Sequence, residues 1–199
     1  MVLPNQLTTL RIILTPVFLI LFLSEDPLHK QISLAVYIIA SITDWYDGWL
    51  ARKYNYFTAW GKFMDPLADK ILTSTAFAAF VYIEVLELWM VLIIIIRDFT
   101  MTGLRLYADH RKINFSTTYF AKTKTFIQMV FINYLLIVYT FMTVDLIYIG
   151  NENLFAVLTN NTLIYLVMLL VTLMTLYSGI SYIFINRKLI KQLFSFENK

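Results

Sequence analysis

Apolar residues run along this chain in six blocks, at roughly 11–23, 31–51, 63–83, 88–104, 119–143 and 154–185, with most polar residues between them. Extended by its polar flanks, each block predicts a membrane helix, because about 20 apolar residues cross a hydrocarbon core about 30 Å thick. The first block is short for a full span, so it either tilts or continues from the segment before it. Leu3–Leu10, just ahead of it, predicts a short N-terminal interfacial helix, with Pro4 in the first turn and Asn5, Thr8 and Thr9 on the polar side. The last block is long enough to tilt or to project beyond the bilayer. The expected fold is all-α, with six transmembrane helices and this interfacial segment. No repeat, low-complexity stretch or Pro/Gly/Ser linker divides the chain, so residues 1–199 are read as one domain.

Composition supports a membrane protein. Hydrophobic residues make up 59% and charged residues only 15%, too apolar a balance for an ordinary soluble domain. The N-terminus does not read as a cleaved signal, since Pro4 and Asn5 replace a basic start and no small-x-small site follows. With six spans, both termini and the loops near 52–62 and 105–118 share one side. Every lysine and arginine but Lys30 falls on that side or on helix ends facing it. The positive-inside rule therefore predicts cytoplasmic termini. No nucleic-acid partner is expected. There is no cysteine, and the two histidines, His29 and His110, fall in predicted loops, so any metal would be held by oxygen.

Four carboxylates break the separation of charge from apolar blocks. They occur in Asp44-Trp-Tyr-Asp47-Gly48-Trp-Leu-Ala51-Arg52 and, eight residues on, in Gly61-Lys-Phe-Met-Asp65-Pro-Leu-Ala-Asp69. A charge at membrane depth costs about 2.5–3.5 kcal/mol on insertion scales, so four acids together call for compensating cations. On a helix, Asp44 and Asp47 share one face, as do Asp65 and Asp69. Two antiparallel helices can thus aim all four at one point. An all-oxygen, strongly negative site suits Mg2+ or Mn2+, which complete their shells with water and substrate phosphate. Gly48, Ala51, Gly61 and Ala68 leave room for close helix contact or a ligand, and Arg52 can fork onto a phosphate.

The pattern D-x2-D-G-x2-A-R-x8-G-x3-D-x3-D is complete at Asp44, Asp47, Gly48, Ala51, Arg52, Gly61, Asp65 and Asp69. It resembles the signature of the CDP-alcohol phosphatidyltransferases, which join a CDP-linked donor to an alcohol and release CMP. The six-helix topology agrees with that family. The resemblance implies that Asp44, Asp47 and Asp65 ligate metal, with Asp69 completing a second metal site or acting as general base. Two divalent ions, Mg2+ or Mn2+, are implied. Gly48, Ala51, Arg52 and Gly61 match the nucleotide side of the site. Asn5 and Thr8 offer hydrogen bonds to donor phosphate or cytidine, and an ordinary helix start explains them equally well. Lys70, next to Asp69, is expected to point elsewhere as a cytoplasmic-side charge.

Four further cations bear on the acceptor. Arg97 ends the apolar run Val91-Leu-Ile-Ile-Ile-Ile96 and is followed by Asp98, a possible local partner; Arg105 stands eight residues on. Lys122 and Lys124 open the fifth block. Their number points to an acceptor that itself carries phosphate, against the plainer reading of flanking positive-inside charge. The pieces Pro4-Asn5-Gln-Leu-Thr8 with Arg11, Phe63-Met-Asp65-Pro66-Leu-Ala-Asp69-Lys70, Ile95-Ile-Arg97-Asp98 with Gly103-Leu-Arg105, and Lys122-Thr-Lys124-Thr125 resemble one branch of the family, the bacterial phosphatidylglycerophosphate synthases. In that branch glutamate is expected at Asp98 and glycine at Ala121. The likeness implies CDP-diacylglycerol as donor, glycerol 3-phosphate as acceptor, a homodimer among membrane lipid, and a bacterial cytoplasmic membrane with the active site facing the cytoplasm. Inositol phosphate, serine and phosphatidylglycerol remain alternative acceptors. A cation or proton transporter is the alternative of a different class, disfavoured because the acids cluster at one end of their helices.

Overall fold

A computed structural model of the chain describes residues 3–54, 59–111, 113 and 119–195. Every regular element among them is helical: α1 (Leu3–Phe22), α2 (Pro27–Tyr54), α3 (Ala59–Tyr82), α4 (Leu88–His110), α5 (Tyr119–Phe141), the short α6 (Asp145–Tyr148) and α7 (Glu152–Leu158), and α8 (Asn161–Ser195). The six long helices correspond to the six apolar blocks.

Local chemistry sets several boundaries. Asp26 Oδ1 accepts from the Leu28 amide at 2.9 Å and caps α2, whose first residue, Pro27, has no amide to satisfy. Asn160 Oδ1 accepts from the amides of Thr162 and Leu163, at 3.0 and 3.2 Å, and caps α8. The run expected at 154–185 is therefore broken at Thr159–Asn160 into α7 and α8. The separate interfacial helix is also corrected: residues 3–10 are the first turns of a continuous α1. No helix breaker stands between Leu10 and Ile12, and Thr8 and Arg11, one turn apart, are drawn onto α3 and α2 respectively. The loops are shorter than expected, because α2 runs to Tyr54 and α4 to His110, which puts Arg105 on a helix. Their parts at 55–58 and 114–118 lie outside the described residues. Both histidines sit in terminal helical turns rather than loops.

Helix α1 packs against α2 and α3, α4 lies between α3 and α8, and α5 contacts α8, α2 and α3. Aromatic rings fill the α1–α3 core: Phe18 tilts against Tyr37, and Phe80 meets both Phe22 and Tyr139 edge-on. The fully buried Ala40, Ala68, Ala76 and Ala79 let helix backbones approach closely. Polarity is inverted relative to a soluble protein. Arg11, Asp98, Lys124, Gln128, Ser178 and Asn186 are buried, whereas Ile20, Ile96, Phe126 and Phe184 are 63–72% exposed. Such an apolar exterior matches a hydrocarbon surrounding. By length and composition, the helical stretches Tyr119–Phe141 and Glu152–Ile190 can cross a membrane.

Phe80 carries the ring contacts that join α1, α3 and α5, so Phe80→Ala is expected to cost about 3 kcal/mol. Thermal unfolding in detergent micelles should show a clearly lowered midpoint, and an unchanged one would contradict this packing.

Candidate functional site

Two charge clusters of opposite sign meet at one end of the helices. The acidic one is built on α2 and α3 and is closed by α1. Arg11 is fully buried, and its Nη1 lies 2.6 Å from Asp44 Oδ1. One turn earlier, the buried Thr8 hydroxyl donates to Asp65 Oδ1. Asp65 and Asp69 lie near enough to act on the charge of Asp44, so three of the four signature acids are neighbours across two helices. Their i,i+4 and antiparallel placement accounts for this. Among the nucleotide-side positions, Gly61 is buried and Gly48 half-buried. The side chains of Asn5, Asp47, Ala51 and Arg52 lie outside the described residues.

The basic cluster is organised by one carboxylate, Asp98, which is 3% exposed. Its Oδ1 receives Lys124 Nζ at 2.8 Å and Arg97 Nη1 at 2.9 Å, while Lys70 Nζ stands 3.6 Å from Oδ2. Arg97 also donates through Nη2 to Ser178 Oγ on α8, at 2.9 Å. A cavity of about 1080 Å3 opens over this cluster, between α4, α5 and α8. Lys70, Arg97, Arg105 and Lys122 line its polar end, whereas Phe126, Met129, Val130 and Ile137 extend it along the apolar side of α5.

Of the four cations expected at the acceptor, three thus border one cavity. Lys124 does not line it: the side chain is fully buried and turned onto Asp98. Lys70, expected to point elsewhere, lines the cavity and lies 3.6 Å from both Asp69 and Asp98, bridging the two clusters. The turn of α3 that carries Asp69 faces α4, so the next residue reaches over the junction instead of outward. Sequence reasoning also missed the pairing of Arg11 with Asp44 and the part played by Ser178. The signals available were an arginine at the edge of the first apolar block and a small polar residue inside the longest one.

For a divalent cation the donor set is right in kind. The acids supply hard oxygen ligands, and their mutual repulsion would be relieved by positive charge. Among the described residues, no group of three or more acids or histidines closes around one point. With few protein ligands, water and substrate oxygens would complete the shell, the mode that Mg2+ favours. The residues therefore fit such an ion in chemistry.

A family model described as CDP-alcohol phosphatidyltransferase matches residues 1–185. A Bacillus subtilis (strain 168) protein named CDP-diacylglycerol--glycerol-3-phosphate 3-phosphatidyltransferase is 39% identical over 147 residues, which cover 68% of this chain and 76% of its own. A Rickettsia bellii protein of the same name is 39% identical over 127 residues, 64% of this chain and 70% of its own. A third protein of that name, from Salmonella typhimurium, is 34% identical over 139 residues, 67% and 75% of the two chains.

Because Asp98 neutralises several cations in a buried place, Asp98→Ala is expected to destabilise the fold by about 3–5 kcal/mol, the cost of stranding a buried charge. Adding Lys124→Met should restore part of the loss. A double-mutant cycle on detergent-solubilised protein measures this; strict additivity of the two changes would refute the coupling.

Proposed function

The chain belongs to the CDP-alcohol phosphatidyltransferase family, and from that premise we propose that it transfers the phosphatidyl group of CDP-diacylglycerol to glycerol 3-phosphate. The products are phosphatidylglycerol phosphate and CMP. The observation that carries this reading is the cavity whose polar end is lined by Lys70, Arg97, Arg105 and Lys122, beside an acid cluster that ends in Asp69. An alcohol without phosphate would give four cations little to neutralise. The names of the Bacillus, Rickettsia and Salmonella relatives favour the same donor and acceptor.

The chemistry follows from the two clusters. Arg105, Lys122 and Arg97 hold the acceptor's phosphate by charge-assisted hydrogen bonds. Its free hydroxyl is then directed toward Asp69, which takes the proton as the oxygen attacks the phosphorus that bears the diacylglycerol. The new oxygen–phosphorus bond forms as the bond to CMP breaks. Asp44, Asp47 and Asp65, with Asp69, would hold two divalent ions, Mg2+ or Mn2+, and such ions neutralise diphosphate charge where they bind. Arg52, Gly48, Ala51 and Gly61 receive the nucleotide side of the donor, with Asn5 and Thr8 closing over it from α1. Holding Thr8 against Asp65 and Arg11 against Asp44 keeps α1 over the acids and limits water.

On this reading the six long helices span a bacterial cytoplasmic membrane as one domain, with both termini and the acids on the cytoplasmic side. The donor's acyl chains stay in the bilayer while its headgroup enters sideways. The asymmetric distribution of lysine and arginine supports this orientation. The functional unit is a homodimer, as the family resemblance implies.

Purified protein with Mg2+ or Mn2+ should release CMP from CDP-diacylglycerol when glycerol 3-phosphate is present, and less with inositol phosphate or serine. No release with glycerol 3-phosphate would sink the proposal, and a better rate with another alcohol would change the acceptor. Asp69→Asn should lower kcat by about 10²–10⁴-fold if Asp69 is the base. Arg105→Ala should raise KM for glycerol 3-phosphate by about tenfold or more. Chelation of divalent ions should abolish turnover, and re-addition should restore it.

A further inference from the structure

Arg97 is held from both sides, and half of its seat belongs to a helix remote from the signature. On α4, Asp98 Oδ1 receives Nη1 at 2.9 Å; across the cavity wall, Ser178 Oγ on α8 receives Nη2 at the same distance. The Ser178 hydroxyl proton is already committed to the Thr175 carbonyl at 3.0 Å. Its oxygen is left to accept, so the polarity of the contact with Arg97 is fixed. Ser178 is fully buried, and no bulk water competes for it.

The neighbouring residue shapes the same seat. A Cβ built on Gly179 would lie 3.2 Å from Arg97 Cγ and 3.7 Å from Nε. Arg97 therefore runs through a notch that exists only because residue 179 has no side chain. An arginine is ordinarily free to shift away from an added methyl group. Here its two terminal nitrogens are tied, one to each wall, so a shift of a few tenths of an ångström lengthens at least one charge-assisted hydrogen bond. Hydrogen bonds to charged groups contribute more than neutral ones and are sensitive to geometry.

We propose that Ser178 and Gly179 are positioning residues that set the guanidinium of Arg97 for the acceptor's phosphate, so that α8 takes part in acceptor selection without touching the reacting atoms. The proposal rests on the assignment of the cavity to a phosphorylated acceptor. It makes the position of an anion-binding arginine depend on the packing of α8 against α4. The contact also couples α8 to the polar end of the cavity: a small displacement of α8 moves Arg97 relative to Arg105 and Lys122.

Steady-state kinetics on wild type, Ser178→Ala, Ser178→Thr and Gly179→Ala, in one micellar preparation and varying each substrate in turn, test it. Ser178→Ala and Gly179→Ala should each raise KM for glycerol 3-phosphate by about tenfold, the effect of one weakened charged hydrogen bond. Their kcat at saturating acceptor and KM for CDP-diacylglycerol should stay near wild type. Inorganic phosphate, added as a competitor of glycerol 3-phosphate, should inhibit both more weakly than it inhibits wild type. Ser178→Thr, which keeps an acceptor oxygen, should recover most of the affinity. Wild-type acceptor KM in Ser178→Ala, or a parallel loss of kcat and both KM values with no rescue by threonine, would overturn the positioning role. If Gly179→Ala fails to fold, the alanine and threonine variants at 178 decide alone. A wild type inactive with glycerol 3-phosphate would instead overturn the assigned reaction, and the positioning role with it.

Discussion

A carboxylate buried among helices holds its charge only if cations are brought to it, and Asp98 meets that condition from three helices at once. Lys124 comes from α5, Lys70 from α3 and Arg97 from α4 itself. Each of these cations would be as costly to bury alone as the acid. The requirement that they meet fixes how α3, α4 and α5 are rotated about their own axes. Ser178 extends the constraint to α8 through Arg97. Apolar packing can tolerate a small rotation of a helix; an ion cluster with bonds of 2.8–2.9 Å cannot.

A second constraint of the same kind ties α1 to α2 and α3 through Arg11, Thr8, Asp44 and Asp65. The two clusters differ in sign and in openness. Around Asp98 the acid is nearly closed off, and two of its cations, Lys70 and Arg97, face a cavity while the third, Lys124, is buried with it. Around Arg11 the cation is closed off, and the Asp44 side chain keeps 43% exposure. One end of the molecule thus offers acids and cations side by side, joined by Lys70, and on the proposed reading these meet a metal-bound diphosphate and a phosphorylated alcohol. The fold sets that contrast by burying Arg11 beneath Asp44 and Asp98 beneath Lys70 and Arg97.

The acid motif was legible because its order is local: spacings of three and four residues place pairs on a helical face whatever the tertiary structure. The six long helices were legible from the apolar blocks, although the first block, at 11–23, understated the length of α1. What escaped depended on rotation and contact between helices. Lys122 and Lys124 look alike along the chain, yet one borders the cavity and the other is spent on Asp98. Lys70 was assigned outward because nothing local reveals that its turn of α3 faces α4. The break at Asn160 did have a sequence signal, two asparagines inside an apolar run, but hydropathy averaged over the block conceals it. The N-terminal turns read as a separate element because their partners, Asp44 and Asp65, lie far along the chain.

The closed pairing of Arg11 bears on how the chain is made. Its partner Asp44 stands on the next helix, and the partner of Thr8 on the one after, so when α1 first leaves the ribosome neither exists. Until α2 follows, the carboxylate that neutralises Arg11 has not been made, and burying that guanidinium would carry its full desolvation cost. Asp98, by contrast, already has Arg97 on its own helix and Lys70 on α3, and Lys124 on α5 completes its set. The contacts that hold the first helix are therefore complete only when the third has been synthesised. The contacts that close α1 over the acids are thus among the last of the first three helices to form.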